Sequence, residues 1–212
     1  MSEPLFVLAS ASPARRAILI QAGIDPFIAV SNFDEEQITT TEPIELVQTL
    51  AKCKAEAVQD RFETQQALIL GCDSVMVVDG EIFGKPITRE RAIAMWDKMR
   101  GNKGELYTGH CLIDTKNHRI LTRYGITTVH FAHATDAEIH SYIDTGEPLN
   151  CAGCCTLEGL GGFLIKGLEG CHTNVLGLSL PLLREMLHQL GYELKFGSNK
   201  SGHKKVEISP ML

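Results

Sequence analysis

Long apolar segments are absent from this sequence. No stretch of the 212 residues comes near the roughly 18 consecutive apolar positions that a membrane-spanning helix requires. The first residues include Glu3 and Pro4, whereas a secretory signal would begin with a basic region followed by an apolar one. We therefore expect a soluble, cytoplasmic protein with no membrane partner.

Positive charge is also in short supply. The chain has 20 lysines and arginines against 26 aspartates and glutamates, so its formal net charge is -6. A protein that binds nucleic acid usually presents a basic face. We therefore expect no nucleic-acid partner, and any anionic ligand must be met by cations that the fold gathers locally.

The cysteines do not form a disulfide framework. There are seven of them, an odd number, and they are scattered along the chain, which is typical of buried thiols in a reducing compartment. Cys151 and Cys154 have C-x2-C spacing and precede a Cys171-His172 pair, a set that can bind zinc. The second half lacks a CxxC or HxxxH motif, which favours buried thiols over zinc.

Several common nucleotide and metal motifs are missing. There is no P-loop, and the glycines at 159, 161 and 162 do not complete a GxGxxG fingerprint, because Leu164 occupies the last position. His110, His130 and His133 have neither HxH nor HExxH spacing, which indicates structural or solvent-facing histidines. The glycine-rich stretch over residues 146–181, which contains Glu158, is interpreted as a loop system whose backbone approaches something closely.

The stretch Ala67–Pro86 carries an acid and a base. Its two apolar runs, residues 67–70 and 75–78, predict two buried strands that are broken at a polar junction containing Asp73. A carboxylate flanked by buried strands is costly unless a cation or hydrogen-bond donors meet it. Asp73 is therefore a candidate functional acid, although a carboxylate that caps a turn is the alternative.

A turn and a lysine follow this acid. Asp79-Gly80 is a hairpin signal, and Gly84-Lys85-Pro86 places Lys85 on a stiff loop. A solvated lysine is the alternative here. If both functional interpretations hold, the same short hairpin supplies a negative charge, Asp73, and a positive charge, Lys85.

The N-terminal segment predicts a phosphate site in outline. An apolar strand over residues 5–9 runs directly into a helix that Ser12 and Pro13 are suited to open. The start of such a helix points free backbone N–H groups at whatever lies in front of it, and Arg15 and Arg16 add full charges. An ordinary capped surface helix with two solvated arginines is the alternative.

Two further charged segments follow. Asp34, Glu35 and Glu36 form either a solvated loop or ligands for a hard cation. Residues 43–62 have the apolar spacing of a helix, on which Lys52 and Lys54 lie on different faces. Only one of these lysines is therefore expected to reach a site beside Asp73.

The remaining pattern predicts one α/β domain over residues 1–195 and a basic, mobile C-terminal tail over residues 196–212. The domain is expected to contain a strand at 27–30, helices at 88–100, 136–145 and 180–190, and a hairpin of strands at 107–114 and 120–129.

Taken in order, the segments LASASPARR, FDEE, AKCKA, GCDSVMVVDGEIFGKP, TGEPLNCAG, EGLGGFLIKGLEG and NVLGLSLP resemble the Maf family of nucleotide pyrophosphatases. They cover nearly the whole chain. The resemblance implies an α/β fold with a mixed, elongated sheet, flanking helices and a deep cleft between two lobes, like that of inosine triphosphatases. It also implies hydrolysis of a nucleoside triphosphate to the monophosphate and pyrophosphate.

The resemblance further implies roles for individual residues. Asp73 would be the catalytic base and would hold Mg²⁺ or Mn²⁺ together with Glu35. The triphosphate would be bound by Ser12, Arg16, Lys54 and Lys85, with Arg15 adjacent.

Two features are similar to the branch of the family that hydrolyses 7-methyl-GTP: the SPARR motif and a glutamate, Glu158, where members acting on dTTP and UTP have glutamine. Ala14 and Ser74 depart from that branch, which has tryptophan and glutamine there. The alternatives are a dTTP/UTP-preferring pyrophosphatase and a non-catalytic, nucleotide-responsive regulator of cell division. The expected partner is a small nucleotide, and a homodimer is left open.

Overall fold

The fold, taken from a computed structural model that describes residues 3–198, 202 and 204–211, is built on a mixed sheet of seven strands. The strands lie in the order β2-β1-β3-β5-β6-β7, and the short β4 pairs with β3 at one edge. A separate two-stranded sheet follows near the C-terminus. The strands are β1 (Leu5–Leu8), β2 (Phe27–Ile28), β3 (Ala67–Val78), β4 (Glu81–Phe83), β5 (Lys103–Asp114), β6 (Arg119–Phe131), β7 (Ile165–Glu169), β8 (Tyr192–Ser198) and β9 (Lys204–Pro210).

Helices flank the large sheet, as the expected α/β class requires. They are α1 (Pro13–Gln21), α2 (Pro43–Gln59), α3 (Arg89–Met99), α4 (Asp136–Asp144), α5 (His172–Val175) and α6 (Leu180–Gln189). Their starts follow the capping signals: Ser12, Thr88, Thr135 and Ser179 each accept a hydrogen bond from a backbone N–H of the first turn. Among the described residues, no helix has the length and apolar content needed to cross a membrane.

Three hydrophobic clusters form the core. One contains Leu19 of α1 and Leu187 of α6, packed on the first half of β3. A second contains Trp96 of α3 and Ile143 of α4, packed around the second half of β3. The third lies between α2 and the opposite face of the sheet. The two halves of β3 thus belong to two different lobes.

β3 is one continuous strand, and the prediction of two strands broken at Asp73 is wrong. Every residue from Leu68 to Val77 is paired with β5, including Asp73, which lies opposite Gly109. Asp73 interrupts the apolar sequence pattern but not the hydrogen-bonded pairing of the strand, because β5 continues to pair with β3 before and after this residue. Asp73 therefore lies in the middle of a central strand.

The other edge of β3 has a gap at this position. β1 runs parallel to β3 and pairs with residues 67–70, whereas β4 runs antiparallel and pairs with residues 76–78. Among the described strands, none pairs with residues 71–75 on that edge. The chain leaving β1 and the chain leaving β4 both arrive at the gap, from opposite ends.

Two glycines let α2 lie directly on the sheet beside the gap. A Cβ at Gly71 would overlap the carbonyl oxygen of Ala51, and a Cβ at Gly109 would overlap that of Val47. No side chain larger than hydrogen fits between helix and strand at either point. This close approach determines how far a side chain from α2 can reach toward β3.

The hairpin turn between β3 and β4 is confirmed. Asp79 and Gly80 have φ angles of +50° and +79°, the pair of positive values that a two-residue type I′ turn requires. The turn returns the chain along β3, so that residues 84–86 follow β4 toward the gap.

Part of the predicted tail over residues 196–212 is ordered secondary structure. Residues 196–198 end β8 and residues 204–210 form β9, which pairs with β8 and buries Val206 and Ile208 against the cluster that contains Leu19. The basic composition of this segment predicted a mobile tail, but these two apolar side chains pack it against the core. Residues 199–201, 203 and 212 lie outside the described residues, and the division at residue 195 stays a prediction.

Gly109→Ala is expected to lower the free energy of unfolding by about 1–3 kcal/mol, because the added methyl group would force α2 away from the sheet. Urea unfolding followed by circular dichroism measures this change. Gly167→Ala is the matched control, since a Cβ at this strand glycine meets no atom within 4 Å. Equal stabilities for the two variants would contradict the close packing of α2.

Candidate active site

The candidate site is centred on Asp73 at the gap in β3. The residue is 8% exposed, and its carboxylate accepts a hydrogen bond from Lys54 Nζ at 2.5 Å. The same ammonium group lies 2.8 Å from Glu35 Oε1. Lys54 therefore bridges two carboxylates that come from separate segments of the chain.

The sequence spacing explains why Lys54 reaches the site and its neighbour does not. Lys54 lies on the buried stripe of α2 with Val47, Leu50 and Ala51, the i, i+3, i+4, i+7 positions of a helix. Lys52 is on another face, half-exposed, and its Nζ is 3.7 Å from Glu56. The prediction that only one of the two lysines lies beside Asp73 is confirmed.

Burial raises the pKa of the Asp73 carboxyl above its ordinary value, although the charges of Lys54 and Arg15 act to lower it. The strand pairing and α2 remove water from the carboxylate, which disfavours its charged form. Asp73 is thus a buried acid with a proton affinity higher than usual, in contact with Lys54 and within electrostatic range of Arg15. Such a perturbed group in a strand gap is typical of a functional site.

Arg15 is held at the site by three hydrogen bonds to uncharged acceptors. Its Nε donates to the Gly177 carbonyl at 2.8 Å, and its two terminal nitrogens donate to Ser10 Oγ at 3.3 Å and Ser74 Oγ at 3.2 Å. No carboxylate of the described residues forms an ion pair with it. Because these acceptors carry no charge, the positive charge of the guanidinium is not neutralised by them and can bind an anion.

Ser12 and Arg16 lie on the other side of the α1 N-terminus. Ser12 caps the helix, with its Oγ 3.4 Å from the Arg15 backbone nitrogen. Both residues line an open pocket of about 480 Å³ that extends to Ile28. Arg16 is exposed there and Ala14 is half-buried. The structure thus places Arg15, which the sequence treated as adjacent, in contact with the neighbours of Asp73.

Lys85 and Glu158 belong to two loops, one that follows β4 and one that follows Cys151. Both charges act on the thiol of Cys151, whose pKa is raised mainly by burial and also by Glu158. The loop with Lys85 is joined to the Cys151 loop, since Gly153 N donates to Gly84 O at 3.3 Å. The structure thus connects the two loops, but among the described residues neither Lys85 nor Glu158 forms an ion pair or hydrogen bond with the group around Asp73.

Glu147 fixes the loop that carries Glu158. Its carboxylate accepts hydrogen bonds from the backbone N–H groups of Leu160 and Gly161, each at 3.1 Å, and from the Thr156 hydroxyl. Burial acts to raise the pKa of Glu147, but these hydrogen bonds outweigh it and lower the pKa below its usual value. The sequence analysis missed this residue, which stands just after a positive-φ glycine, Gly146.

The zinc alternative is not supported in the described part of the chain, where no three His, Cys, Asp or Glu side chains converge as a metal site. Burial raises the pKa of Cys154 to about 12, so this residue is a protonated thiol at neutral pH. Cys154 is fully buried among the residues around Trp96. Cys154 thus fits the prediction of buried thiols, whereas Cys151 and Cys171 are only half-buried.

His110 is the buried histidine of β5, and the prediction of a structural role fits its contacts. Its Nε2 accepts a hydrogen bond from the Ser179 backbone N–H at 2.8 Å, and its Nδ1 lies 3.2 Å from the Thr108 carbonyl. Burial, together with the charge of Arg15, lowers its pKa to about 4. The neutral ring therefore connects β5 to the start of α6.

Comparison with known proteins identifies relatives over most of the chain. Residues 5–190 match the family described as Maf-like protein. A nucleoside triphosphate pyrophosphatase from Gloeothece citriformis is 60% identical over 187 residues, which covers 88% of this chain and 94% of the relative. One from Microcystis aeruginosa is 57% identical over 194 residues, covering 92% and 98% of the two chains.

A solved structure from Mycobacterium abscessus, a nucleoside-triphosphatase described as a dITP/XTP pyrophosphatase, gives a TM-score of 0.43 at 11% identity. The match covers 87% of this chain and 93% of that chain.

We expect the stability of the protein to fall as the pH decreases from about 6.5 to 4. In this window the unfolded chain protonates His110 and the folded one does not, so protons favour unfolding. Melting temperatures of the wild type and His110→Gln, measured across this range, should differ in slope, with the variant flatter. His118→Asn, in an exposed turn, should retain the wild-type slope; an equally steep His110→Gln profile would contradict the assignment.

Proposed function

The chain belongs to the family of Maf-like proteins, and from this premise we propose that it hydrolyses a nucleoside triphosphate to the monophosphate and pyrophosphate at the gap in β3. The enzyme is accordingly a hydrolase, a nucleoside triphosphate pyrophosphatase. The observation that carries the proposal is the convergence of a buried carboxylate, Asp73, with Lys54 and Arg15, two cations from different elements.

The reaction requires a base and positive charge in one place. Water attacks the α-phosphorus, the bond from that phosphorus to the bridging oxygen breaks, and pyrophosphate leaves with the electron pair. Asp73 takes the proton of the water, a role that its raised pKa suits, because a general base works best when its proton affinity is near the working pH. Charge that develops on the phosphate oxygens is stabilised by fixed cations.

The phosphate ligands are assigned from their positions around the gap. Arg15 is closest to the neighbours of Asp73, and Lys54 contacts Asp73 directly. Ser12 and Arg16 line the pocket at the start of α1, and Lys85 follows β4 toward the gap. We infer that a triphosphate bound at the gap uses these groups as its phosphate ligands.

The carboxylates also fit a divalent cation. Glu35 and Asp73 already share the ammonium of Lys54, at 2.8 Å and 2.5 Å, so their oxygens are arranged around one positive charge. Mg²⁺ or Mn²⁺ prefers such oxygen ligands and completes its shell with water and substrate phosphates. When bound, the ion would neutralise charge on the phosphate oxygens. Lys54 would then be free to turn from the carboxylates toward a phosphate.

The proposed substrate is 7-methyl-GTP. Glu158 is an exposed carboxylate on a loop that Glu147 fixes, and both it and Lys85 act electrostatically on Cys151. A carboxylate can accept two hydrogen bonds from the N1 and N2 edge of guanine and opposes the positive charge of a base methylated at N7. Glutamine, with one acceptor oxygen and no charge, does neither as well.

Asp73→Asn is expected to reduce kcat by roughly 10²–10⁴, because the amide cannot take the proton of the attacking water. Pyrophosphate release from a panel of nucleoside triphosphates, with Mg²⁺ or Mn²⁺ and after chelation of the metal, measures the loss. The panel also separates the purine and pyrimidine alternatives. A wild type that binds nucleotides but releases no pyrophosphate would support the regulator alternative and contradict the proposal.

Lys54→Met and Lys52→Met provide the matched controls for this experiment. Both remove one lysine from the same helix, but only Lys54 contacts Asp73. Lys54→Met should lose activity and Lys52→Met should not. Similar effects of the two substitutions would contradict the assigned site.

Glu158→Gln is expected to shift relative kcat/KM away from 7-methyl-GTP and toward UTP, by roughly tenfold or more if one charge-assisted hydrogen bond is lost. Steady-state kinetics with the two substrates measure the ratio. Glu169→Gln, an exposed glutamate that pairs with His130, should leave the ratio unchanged. An unchanged ratio in Glu158→Gln would rule out this account of specificity.

A further inference from the structure

The two cores on one face of the sheet are separated by a row of polar side chains, which we call the polar seam: Ser74, Thr108, Thr127 and Asn174. On one side of it Leu68 and Leu70 of β3 belong to the cluster with α1 and α6. On the other side Met76 belongs to the cluster with α3 and α4. Ser74 and Thr108 are cross-strand neighbours, so the polar seam crosses from β3 to β5.

Asn174 anchors the polar seam. Its side chain is 1% exposed, and its amide nitrogen lies within 3.3 Å of the Leu106 carbonyl, the Gly125 carbonyl and the Thr127 hydroxyl. These contacts fix the α5 segment on β5 and β6. The backbone carbonyl of Asn174 is thereby held at a defined position above Thr108.

The donor and the acceptor of each hydrogen bond between Arg15, Ser74, Thr108 and Asn174 can be assigned. The Thr108 hydroxyl donates to the Asn174 carbonyl at 2.9 Å, since a carbonyl can only accept. Thr108 Oγ1 lies 3.0 Å from Ser74 Oγ, so Ser74 must be the donor between them. The Ser74 oxygen therefore presents its lone pairs to Arg15, which donates to it at 3.2 Å.

The same segment supplies a second contact to Arg15. Gly177 has a φ of +98°, and its carbonyl accepts from Arg15 Nε at 2.8 Å. A Cβ at this position would lie 3.0 Å from that nitrogen, so the approach needs glycine. The Asn174–Gly177 turn, closed by a hydrogen bond of 2.9 Å, thus supports Arg15 both directly and through Thr108.

These contacts leave part of the guanidinium available. Of the five N–H groups of an arginine, three are used by Gly177, Ser10 and Ser74. One remains on each terminal nitrogen. These two charged donors are available to phosphate oxygens.

We propose that Thr108, a residue 0% exposed, is a positioning residue that acts through Ser74 to orient the Arg15 guanidinium toward a phosphate of the substrate. The proposal rests on the proposed function. Without the Thr108 hydroxyl, Ser74 loses its acceptor and can rotate its own proton toward Arg15, which removes the lone pair that holds the guanidinium.

Thr108→Val tests this, because valine has nearly the shape of threonine but no hydroxyl. We expect kcat/KM for the best nucleoside triphosphate to fall roughly tenfold, the size of a coupling between contacting groups. Thr108→Ser keeps the hydroxyl and should restore activity to within about twofold of the wild type. Thr115→Val is the matched control, since Thr115 is also buried and hydrogen-bonded, to Gln65 and Ala67, at the far end of β3 and β5.

A double-mutant cycle with Arg15→Met separates positioning from general destabilisation. If Thr108 acts through Arg15, adding Thr108→Val to Arg15→Met should change kcat/KM less than about twofold. A further tenfold loss in the Arg15→Met background, or full activity of Thr108→Val alone, would overturn the proposal. A wild type that turns over no nucleoside triphosphate would instead overturn the proposed function, so the two failures are distinguishable.

Discussion

The contact between Lys54 and Asp73 is the interaction on which the site depends. A carboxylate in the middle of a central strand is costly unless a cation or hydrogen-bond donors meet it, because strand pairing and α2 exclude water, and here Lys54 meets it. The cation can reach it because Gly71 and Gly109 let α2 lie against the sheet. The ion pair of the site therefore depends on the close packing of α2 against the sheet.

The gap in β3 explains why the site is at this point of the fold. β1 ends beside residue 70 and β4 ends beside residue 76, so one strand edge stays open between them. The start of α1 enters the gap from one lobe, and the Lys85 loop enters from the other. Cations from distant segments can thus meet one elongated anion, although the chain as a whole is acidic.

The sequence was sufficient to predict the elements whose pattern is local. The helical spacing of residues 43–62 predicted that only one of Lys52 and Lys54 reaches the site, Asp79-Gly80 predicted the hairpin turn, and Ser12 predicted the start of α1. Each of these depends on spacing within one segment.

Features that depend on distant pairing could not be predicted in the same way. The continuity of β3 through Asp73 is determined by β5, in which the partner of Asp73 is Gly109, 36 positions later in the chain. The polar seam joins Ser74, Thr108 and Asn174 from three segments, and no pattern within any one segment indicates their contact. The pairing of β9 likewise depends on β8, while its own composition is that of a basic tail.

The central claim is that Asp73 activates a water that attacks the α-phosphorus of a triphosphate lying along the gap. Hydrolysis in water labelled with the heavy oxygen isotope, followed by mass spectrometry of both products, tests it most directly. The account predicts that the label enters the nucleoside monophosphate. Label found in the pyrophosphate, or release of single phosphates, would place the attack at another phosphorus and contradict it.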